Sequence, residues 1–335
     1  MNVATMQSHS VSIIGTGSYL PQKVLTNFDL AKMVDTSDEW ITTRTGIKER
    51  HIAAENESAS DMAVKAAVKA IKNAGIEASA IDMIVVGTVT PDMIFPNTAC
   101  FVQKQIGAVN AFCFDVEAAC SGFLYSMEIG RRFIETGAVK TALIIGTEKL
   151  SIITDWTDRT TCVLFGDGAG AVILGKSRSS KGIRGSIMGS DGNLVDLLKV
   201  PGGGSRYPSS AKTIEEKMHC IKMNGKEVFK HAVRCMCDAG IQVMKKCGCS
   251  VRDIKCIIPH QANMRIIQAI GERLEVSMDK FYLNLERVGN ISSASIPVAL
   301  DEAVQAGRIR KGDNLLLISF GGGFTWGAML IEWGI

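Results

Sequence analysis

The stretch AFCFDVEAACSGFLYSMEIGRRFIET, residues 111–136, decides the fold class. Its first part, Ala111 to Val116, is mostly apolar and predicts a buried strand. Gly122 to Thr136 predicts a helix that is apolar on nearly every face. A few small or polar residues, Cys120 among them, separate the two elements. A buried strand that turns at once into a helix is the unit from which α/β folds are built.

The same alternation of strands and helices continues towards both ends of the chain. A helix is predicted at Asp61 to Asn73, because Ser60 is suited to cap its start and Gly75 lies just beyond its end. Together these elements predict an α/β fold with a buried, mostly parallel sheet. The other strands predicted in this part are Val11 to Gly17, Ile81 to Val89 and Thr141 to Thr147.

The second part of the chain repeats the order of the first. Strands predicted at Ile254 to Ile258 and Leu315 to Ser319 lie about as far apart along the chain as those around Ile84 and Leu143. A repeat of this kind indicates a duplicated fold.

The polar stretch SRSSKG, Ser177 to Gly182, is the natural boundary between two such halves because it is rich in turn-forming residues. The halves would then be residues 1–178, which hold Cys120, and residues 179–335. A second stretch, PGGGSRYPSS at Pro201 to Ser210, predicts a surface loop near a substrate entrance.

Length, composition and charge exclude several classes of protein. A chain of 335 residues with 46% apolar residues can bury a large core. Its net charge of +3 and charged fraction of 21% lack the basic bias of a nucleic-acid-binding protein, so we expect no nucleic-acid partner. The start, MNVATMQSHS, has no signal-peptide pattern and no apolar run is long enough to cross a bilayer, so we expect a cytoplasmic protein without a membrane partner. Ten irregularly spaced cysteines predict reduced thiols.

Cys120 is the first candidate for a catalytic residue. It lies in AACSGF between strand and helix, where the positive end of the helix dipole and unpaired amides favour the thiolate. The thiolate is the form that attacks a thioester. Small neighbours would let a substrate approach: Ala118, Ala119, Ser121 and Gly122. Taken alone, Cys120 also fits the commoner alternative of a small buried apolar side chain.

Two further loops carry polar side chains in the same strand-to-helix setting. His260, in PHQAN, follows a strand and precedes a helix, which is where α/β folds place active sites. Asn290, in GNISSAS, precedes the helix predicted at Ser293 to Ala306 and offers an uncharged hydrogen-bond donor. Each alone is more often structural, but a Cys, a His and an Asn in three similar loops predict one catalytic cavity.

The glycine run Gly321 to Gly323, in SFGGGFTWG, is a candidate for half of an oxyanion hole. Backbone without side chains brings an amide close to a reacting carbonyl group. The alternative is a tight turn between strand Leu315 to Ser319 and strand Trp326 to Glu332.

Other patterns give weaker indications. GTGSYL from Gly15 and GDGAG from Gly166 suggest a dinucleotide fold, but neither forms GxGxxG with a downstream acidic residue. Four cysteines suggest a zinc site, yet the first two would lie on a helix where positions i and i+2 point apart, and no CxxC spacing occurs. They are Cys235, Cys237, Cys247 and Cys249. We therefore predict no metal site.

With these loops in place, the sequence resembles the β-ketoacyl-acyl-carrier-protein synthase III family of the thiolase superfamily along essentially the whole chain. The resemblance is carried by IIGTGSYLP, DTSDEW with TRTGIKERHIA, AACSGF, TDR with FGDGAGA, PHQAN, GNISSAS and FGGGFTWG. It implies an α/β, thiolase-like five-layer αβαβα fold made of two similar halves, and a homodimer.

The same resemblance implies a reaction. Cys120 would take an acyl group from an acyl-CoA primer, and malonyl-acyl-carrier protein would then lose CO₂ to give the carbanion that attacks the acyl group. His260 and Asn290 would stabilise the enolate, and the amides of Cys120 and Gly322 would hold the tetrahedral oxyanion. No cofactor is implied, since acyl-CoA is a substrate. The His and Asn pair separates this family from the elongating synthases, which use two histidines, and from thiolases, which use a second cysteine.

Further residues match the family's CoA contacts. Trp40 and Arg159 match the pair that stacks on the adenine ring, which suits an indole and a guanidinium plane. Without the resemblance, a partly buried aromatic and a surface charge are the alternatives. The other implied contacts are Thr36, Arg44, Gly225, Phe229, Ala262 and Asn263.

The resemblance also implies an acyl pocket and a docking surface. Phe95, Leu150 and Phe165 match pocket residues, with Phe95 reaching across the dimer interface, and its bulk favours a short primer such as acetyl-CoA. Long-range attraction of an acidic carrier protein is implied for a basic patch, although solvated surface charge is the alternative. The patch consists of Lys230, Arg265 and Arg273.

Two other functions remain open at this stage. A related condensing enzyme or acyltransferase of a specialised pathway would use the same acyl-cysteine with another acceptor. A non-catalytic acyl-CoA or carrier-protein binding subunit is disfavoured, because Cys120 and both partner loops are present.

Overall fold

Two large β-sheets, two small two-stranded sheets and three layers of helices organise the chain in the computed structural model, which describes residues 10–177 and 182–335. The strands are β1 Val11–Tyr19, β2 Lys23–Thr26, β3 Glu49–Ile52, β4 Met83–Gly87, β5 Phe112–Val116, β6 Thr141–Lys149, β7 Asp167–Lys176, β8 Gly182–Ser190, β9 Leu198–Lys199, β10 Lys222–Met223, β11 Ile254–Pro259, β12 Asn314–Gly321 and β13 Thr325–Glu332. The helices are α1 Asn27–Leu30, α2 Asp38–Thr45, α3 Ala59–Ala74, α4 Thr98–Ile106, α5 Gly122–Glu135, α6 Ala211–Glu215, α7 Gly225–Lys246, α8 Met264–Leu274, α9 Leu285–Val288 and α10 Ser295–Gln305.

The two larger sheets have the same internal order. The first runs β1-β7-β6-β4-β5, and the second runs β11-β12-β13-β8. In both, a parallel pair (β4 with β6, and β11 with β12) continues into two antiparallel pairs. Ile84 pairs with Leu143 as Ile257 pairs with Leu316, so the strand correspondence predicted from the sequence is confirmed.

The expectation of a mostly parallel sheet is wrong, because antiparallel pairs are at least as frequent in both sheets. The reason lies in the connections. Residues 322–324 alone join β12 to β13, and a connection that short cannot cross over to a parallel position.

Helices form layers outside and between the sheets. Helices α3 and α4 cover the outer face of the first sheet, α7 and α8 cover that of the second, and α5 and α10 lie between the two. The first half of α5 is buried, as predicted, but its second half carries exposed ion pairs, Arg132 with Glu128 at 2.7 Å among them. The prediction that α5 is apolar on nearly every face is therefore wrong beyond its first two turns.

Helix α3 begins two residues before the predicted position. Ser58, and not Ser60, is its N-cap: the Ser58 hydroxyl accepts the Asp61 N–H, and the Asp61 carboxylate accepts the Ser58 N–H at 2.8 Å. This reciprocal pair satisfies two otherwise unpaired amides, which a cap at Ser60 would not. Gly75 ends the helix in the left-handed conformation, as predicted.

The remaining sequence motifs have structural explanations. GTGSYL lies in β1 and GDGAG leads into β7, and these two strands pair with each other instead of forming phosphate-binding loops. Residues 178–181 of the predicted boundary lie outside the described residues. Ser177 directly follows β7, the last strand of the first sheet along the chain, and Gly182 begins β8, the first strand of the second sheet. Loop residues 203–210 are exposed.

Within residues 10–177 and 182–335, no group of three or more His, Cys, Asp or Glu side chains is placed to hold a metal ion. Over the same ranges, no helix has both the length and the apolar character needed to cross a membrane.

Candidate active site

Cys120 lies in a sharp elbow between β5 and α5. The elbow is a 3₁₀ turn, Ala119–Ser121, and Ala119 adopts φ 45°, a left-handed conformation that residues with a side chain rarely adopt. Gly321 packs against it so closely that a Cβ there would lie 2.6 Å from the Cys120 amide nitrogen. Thr325 fixes the elbow from the second sheet, because its hydroxyl donates to the Ala118 carbonyl at 2.9 Å. The glycine at the start of the run is therefore required by close approach.

A cavity of about 580 Å³ brings the three predicted catalytic residues together. Cys120 enters from the elbow after β5, His260 from the end of β11, and Asn290 from the loop before α10. Its walls are mostly apolar and include Phe165 and Phe320. Three side chains that are far apart in sequence thus face one space.

His260 is held as a neutral hydrogen-bond donor. Its backbone N–H donates to the Ile318 carbonyl at 2.7 Å, and its Nδ1 lies 2.8 Å from the Ser295 hydroxyl oxygen. That oxygen also accepts the Gln261 N–H at 3.4 Å, and its own proton can be donated to Nδ1. With the Ser295 hydroxyl donating in this way, the ring carries its proton on Nε2. Burial lowers the pKa of His260 to about 4, which keeps the ring neutral at pH 7.

Asn290 is oriented by the backbone on both sides. Its N–H donates to the Leu164 carbonyl at 2.9 Å, and its carbonyl accepts the Gly166 N–H at 3.0 Å. Its side-chain Oδ1 accepts the Ser292 N–H at 2.9 Å, which leaves the Nδ2 hydrogens for the cavity. His260 and Asn290 therefore offer two fixed, uncharged donors, an arrangement suited to a developing enolate oxygen.

The surroundings of Cys120 oppose the thiolate predicted from the sequence. Burial raises the pKa of the Cys120 thiol to about 12, the Ser292 side chain lowers it less, and the Glu148 carboxyl raises it further. A helix N-terminus contributes about 0.3–2 kcal/mol, or at most roughly 1.5 pKa units. The dipole of α5 is too weak to offset this burial, so the resting thiol is protonated at neutral pH.

Six of the eight predicted CoA contacts line the cavity. They are Trp40, Arg44, Gly225, Phe229, Ala262 and Asn263. Arg159 lies outside the lining but places its guanidinium carbon 5.2 Å from the Trp40 ring centroid, and Arg44 lies at 4.8 Å from the same ring. The Arg159 guanidinium also donates to the Asp35 carbonyl at 2.7 Å. Thr36 lies outside the lining, with a buried hydroxyl for which no partner is found among the described residues.

The other predicted residues lie in several environments. Phe165 lines the cavity, Leu150 belongs to the adjoining core, and Phe95 is 82% exposed. Gly322 does not line the cavity. Of the basic residues, Arg265 lines the cavity mouth, Lys230 is exposed, and Arg273 donates to the Asp238 carboxylate at 2.8 Å.

Sequence reasoning missed several residues of this site. Lys226 lies at the cavity mouth directly after Gly225, and Ser295 orients His260 from within the GNISSAS motif. Glu148 is a charged residue inside an apolar strand, and that mismatch was the available signal. The apolar wall positions Leu198 and Met223 carried no signal, since such residues line any core.

A thiol in a sharp elbow, faced by two neutral donors in an apolar cavity between two similar sheets, defines the class. This is a condensing acyltransferase with a thiolase-like αβαβα fold.

Comparisons with known proteins identify the family. The model described as 3-oxoacyl-[acyl-carrier-protein (ACP)] synthase III matches residues 114–192, and that of its C-terminal part matches residues 244–333. The beta-ketoacyl-[acyl-carrier-protein] synthase III of Caldanaerobacter subterraneus is 53% identical over 97% of this chain and 98% of the relative. The chain belongs to the β-ketoacyl-acyl-carrier-protein synthase III family, and it is a condensing enzyme of fatty acid biosynthesis.

Solved structures agree with this fold. The 3-oxoacyl-[acyl-carrier-protein] synthase III of Aquifex aeolicus is 47% identical, with a TM-score of 0.90 over 96% of this chain and 100% of that one. The priming beta-ketosynthase of a polyketide biosynthetic pathway is 32% identical, with a TM-score of 0.92 over 100% of this chain and 99% of that one. The thiolase-like fold class predicted from the sequence is confirmed.

Proposed function

We propose that this enzyme starts fatty acid synthesis by condensing acetyl-CoA with malonyl-acyl-carrier protein through an acyl-Cys120 intermediate. The observation that carries the proposal is that Cys120, His260 and Asn290 face one apolar cavity of about 580 Å³. A cysteine thioester is a good acyl electrophile, and the two neutral donors suit an enolate. The proposed reaction uses no cofactor, because acyl-CoA is itself a substrate.

In the first step, the Cys120 sulfur attacks the thioester carbon of the primer. The tetrahedral oxyanion would be held by the amides of Cys120 and Gly322. The close packing of Gly321 on the Cys120 amide supports this assignment, since it places the glycine-rich turn beside the elbow. Release of CoA then leaves the acyl group on Cys120.

In the second step, malonyl-acyl-carrier protein loses CO₂ in the same cavity. The enolate oxygen that forms would accept hydrogen bonds from His260 Nε2 and Asn290 Nδ2. A charged His260 would hold the malonyl carboxylate too well in the ground state, and burial of the ring keeps it neutral. The resulting carbanion attacks the acyl-cysteine and forms the carbon–carbon bond.

CoA binding is proposed at the mouth of the cavity. Trp40 and Arg159 would stack on the adenine ring, which requires the Arg159 guanidinium to withdraw from its present position above the indole. The remaining contacts are proposed for Thr36, Arg44, Gly225, Phe229, Ala262 and Asn263. The carrier protein, which is acidic by the family resemblance, would approach the same mouth.

The docking surface for the carrier protein is proposed around Arg265, which is exposed and lines the cavity, and the exposed Lys230, which follows the lining residue Phe229 in the chain. Lys226 extends this patch because it lines the cavity. Arg273 would contribute less, since its guanidinium is already paired with Asp238. Exposed cations of this kind speed association more than they tighten binding.

A homodimer is proposed from the surface around Phe95. Phe95 and its neighbour Ile94 are 82% and 87% exposed, and Phe112 is half-exposed on β5, the edge strand of the first sheet. An apolar patch next to a free sheet edge suits burial against a second copy. Phe95 would then complete the acyl pocket of the partner, together with that partner's copies of Leu150 and Phe165.

We also infer a division of the chain and a compartment. The equal strand orders of the two sheets support halves at 1–178 and 179–335, although α10 packs against both sheets and so joins them. All ten cysteines are free thiols, which supports a reducing compartment such as the cytoplasm.

A condensing enzyme of a specialised pathway is the second candidate. The likeness to a polyketide priming ketosynthase favours it, because that protein shares the fold over the whole chain. The two candidates differ in the primer and in the carrier that receives the product.

Intact-protein mass spectrometry after incubation with a panel of acyl-CoAs tests the proposal. We expect one acetyl adduct on Cys120, located by peptide mapping, which disappears as a β-ketoacyl product forms on added malonyl-acyl-carrier protein. An adduct that persists would indicate another acceptor, and acylation by a longer or branched primer instead of acetyl-CoA would refute the primer assignment. No adduct on Cys120 with any primer would overturn the mechanism.

A further inference from the structure

Arg50 is a fully buried cation beside the loop of Asn290, and the two steps described above do not use it. It lies on β3 with 0% of its surface exposed, and although burial lowers its pKa to about 10, the guanidinium stays charged at neutral pH. Within residues 10–177 and 182–335, no carboxylate forms an ion pair with it, and its Nε has no hydrogen-bond partner. A buried cation without a carboxylate is costly, so its presence here calls for an explanation.

The guanidinium group of Arg50 connects two distant parts of the chain. On one side, Nη1 donates to the Leu25 carbonyl at 3.2 Å and to the Asn27 side-chain oxygen at 2.9 Å. On the other side, Nη2 donates to the Val163 carbonyl at 2.7 Å. A guanidinium fork can reach both sides at once, and a charged donor makes each of these hydrogen bonds stronger than a neutral one would. Arg50 therefore fixes the segment that begins at Val163, residues 163–166, against the end of β2 and the start of α1.

Residues 163–166 in turn hold Asn290 on both sides. The Leu164 carbonyl accepts the Asn290 N–H at 2.9 Å, and the Gly166 N–H donates to the Asn290 carbonyl at 3.0 Å. Together these two bonds form an isolated parallel bridge between two loops. Because the bridge fixes the Asn290 backbone, a shift of residues 163–166 would move the Asn290 side chain in the cavity.

The aliphatic stem of Arg50 packs against the same bridge. A Cβ added at Gly166 would lie 3.0 Å from the Arg50 Cβ, and a Cβ added at Gly289 would lie at the same 3.0 Å. Such contacts are tight, so glycine at both positions lets the two loops lie this close to the stem. Gly289 directly precedes Asn290 in the chain. Arg50 thus contacts both loops of the bridge, and on the second loop it does so one residue from Asn290.

We propose that Arg50 is a positioning residue for the condensation, which holds Asn290 through residues 163–166 at the place where the enolate oxygen develops. The proposal rests on the proposed role of Asn290 as an enolate donor. Replacing a buried ionic group by apolar side chains often leaves stability unchanged or raises it, so stability alone is a weak explanation for this cation. The geometry that it imposes explains it better, because a misplacement of about 1 Å at a reacting group costs roughly 100-fold in rate.

Cys120 acylation should depend far less on Arg50 than malonyl decarboxylation does. The Cys120 elbow is fixed from other elements, by the Thr325 hydroxyl on β13 and by the close packing of Gly321 on β12. Asn290, in contrast, is held by the bridge that Arg50 supports. Loss of the Arg50 hydrogen bonds should therefore separate the two steps, whereas general damage to the fold would slow both.

Separate measurements of the two steps test this role. Arg50→Met removes the hydrogen bonds to Leu25, Asn27 and Val163 but keeps a stem of similar length, and it should slow CO₂ release from malonyl-acyl-carrier protein by about 100-fold. Acylation of Cys120 by acetyl-CoA, followed by rapid quench and mass spectrometry, should stay within about threefold of wild type. Arg50→Lys keeps the charge and one donor group, so it should decarboxylate about tenfold faster than Arg50→Met.

Arg131→Met is the matched control, because Arg131 is also buried but forms its ion pairs within α5, with Glu135 at 2.8 Å and Glu128 at 3.4 Å. It should lower stability and leave both rates within about threefold of wild type. Urea denaturation would establish that each variant is folded under the assay conditions. Equal losses of decarboxylation and acylation in Arg50→Met would overturn the positioning role, as would wild-type decarboxylation by a folded Arg50→Met enzyme.

A double variant decides whether Arg50 acts through Asn290. If it does, adding Arg50→Met to Asn290→Ala should slow CO₂ release by less than about a further threefold, because coupled residues are not additive. A further loss as large as that of Arg50→Met alone would contradict the positioning role. Wild-type decarboxylation by Asn290→Ala would instead refute the enolate assignment. If Arg50→Met does not fold, Arg50→Lys takes its place in the same comparison, with a loss of roughly tenfold expected alone and little further loss beside Asn290→Ala.

Discussion

The same backbone elbow occurs twice in the chain, and the first copy carries the proposed nucleophile, Cys120. In the first sheet, Ala119 at φ 45° precedes Cys120 at the start of α5, and in the second, Ser292 at φ 46° precedes Ser293 at the start of α10. The residues before them, Ala118 and Ile291, also have nearly equal ψ angles of 32° and 30°. The fold therefore supplies the backbone geometry in duplicate, and the geometry alone does not make a nucleophile.

The two elbows differ in whether their side chain reaches the cavity and in the strand residue that lies beside them. Cys120 lines the cavity, whereas Ser293 is 1% exposed and donates its hydroxyl to the Gly87 carbonyl at 2.7 Å. Gly321 on β12 lies against the first elbow, and Glu148 holds the equivalent position on β6, the strand that packs beside the second elbow. The glycine permits close backbone approach at the first elbow, whereas the equivalent strand position beside the second elbow carries a buried carboxyl group.

The largest expected effect comes from exchanging the two elbow residues. Cys120→Ser should abolish acylation by acyl-CoA, because a serine hydroxyl ionises far less readily than a thiol. Adding Ser293→Cys to that variant should not restore an adduct, since position 293 is buried away from the cavity. Intact-mass spectrometry would show both results, and an acyl group on residue 293 would contradict the view that access decides which elbow reacts.

Removal of the donors that face the first elbow is expected to have the next largest effect. His260→Ala and Asn290→Ala should each slow malonyl decarboxylation by about 10²–10³-fold, because each removes one fixed donor to the enolate. Acylation of Cys120 should stay largely intact in both. Release of CO₂ from malonyl-acyl-carrier protein measures the first effect and mass spectrometry the second. Equal decarboxylation by wild type and both variants would refute the enolate assignment.

Gly321→Ala sharpens the contrast between the residues that face the elbows. The new Cβ would lie 2.6 Å from the Cys120 amide nitrogen, so the elbow must shift. A displacement of about 1 Å at a reacting group costs roughly 100-fold in rate, and we expect that loss in single-turnover acylation. Gly204→Ala is the control, because a Cβ there meets nothing within 4 Å. Full acylation activity in Gly321→Ala would show that the elbow tolerates a side chain at this position.

Much of this fold was predictable from the sequence, and much of the site's energetics was not. Apolar runs such as the one ending at Val116 locate strands within a residue or two, because burial requires them. The sequence favoured a Cys120 thiolate, but burial raises the pKa of the thiol. A helix N-terminus can be predicted from a sequence, whereas the depth of burial cannot. The setting of Glu148 was missed because its hydrogen-bond partners, Thr90 and Val89, lie on a loop that is distant from β6 along the chain.

Ser293→Ala is expected to have the smallest effect and most directly tests the structural role of the second elbow. Its hydroxyl has a single proton, which is donated to the Gly87 carbonyl, so the substitution removes one buried hydrogen bond between the second elbow and the end of β4. Such a loss lowers the free energy of unfolding by about 1–3 kcal/mol, which urea denaturation would measure. The rate of Cys120 acylation should stay within about twofold of wild type, because no reacting atom loses a partner. A Ser293→Ala enzyme of unchanged stability but greatly reduced acylation would contradict the structural role of the second elbow. It would place that elbow in the catalytic machinery.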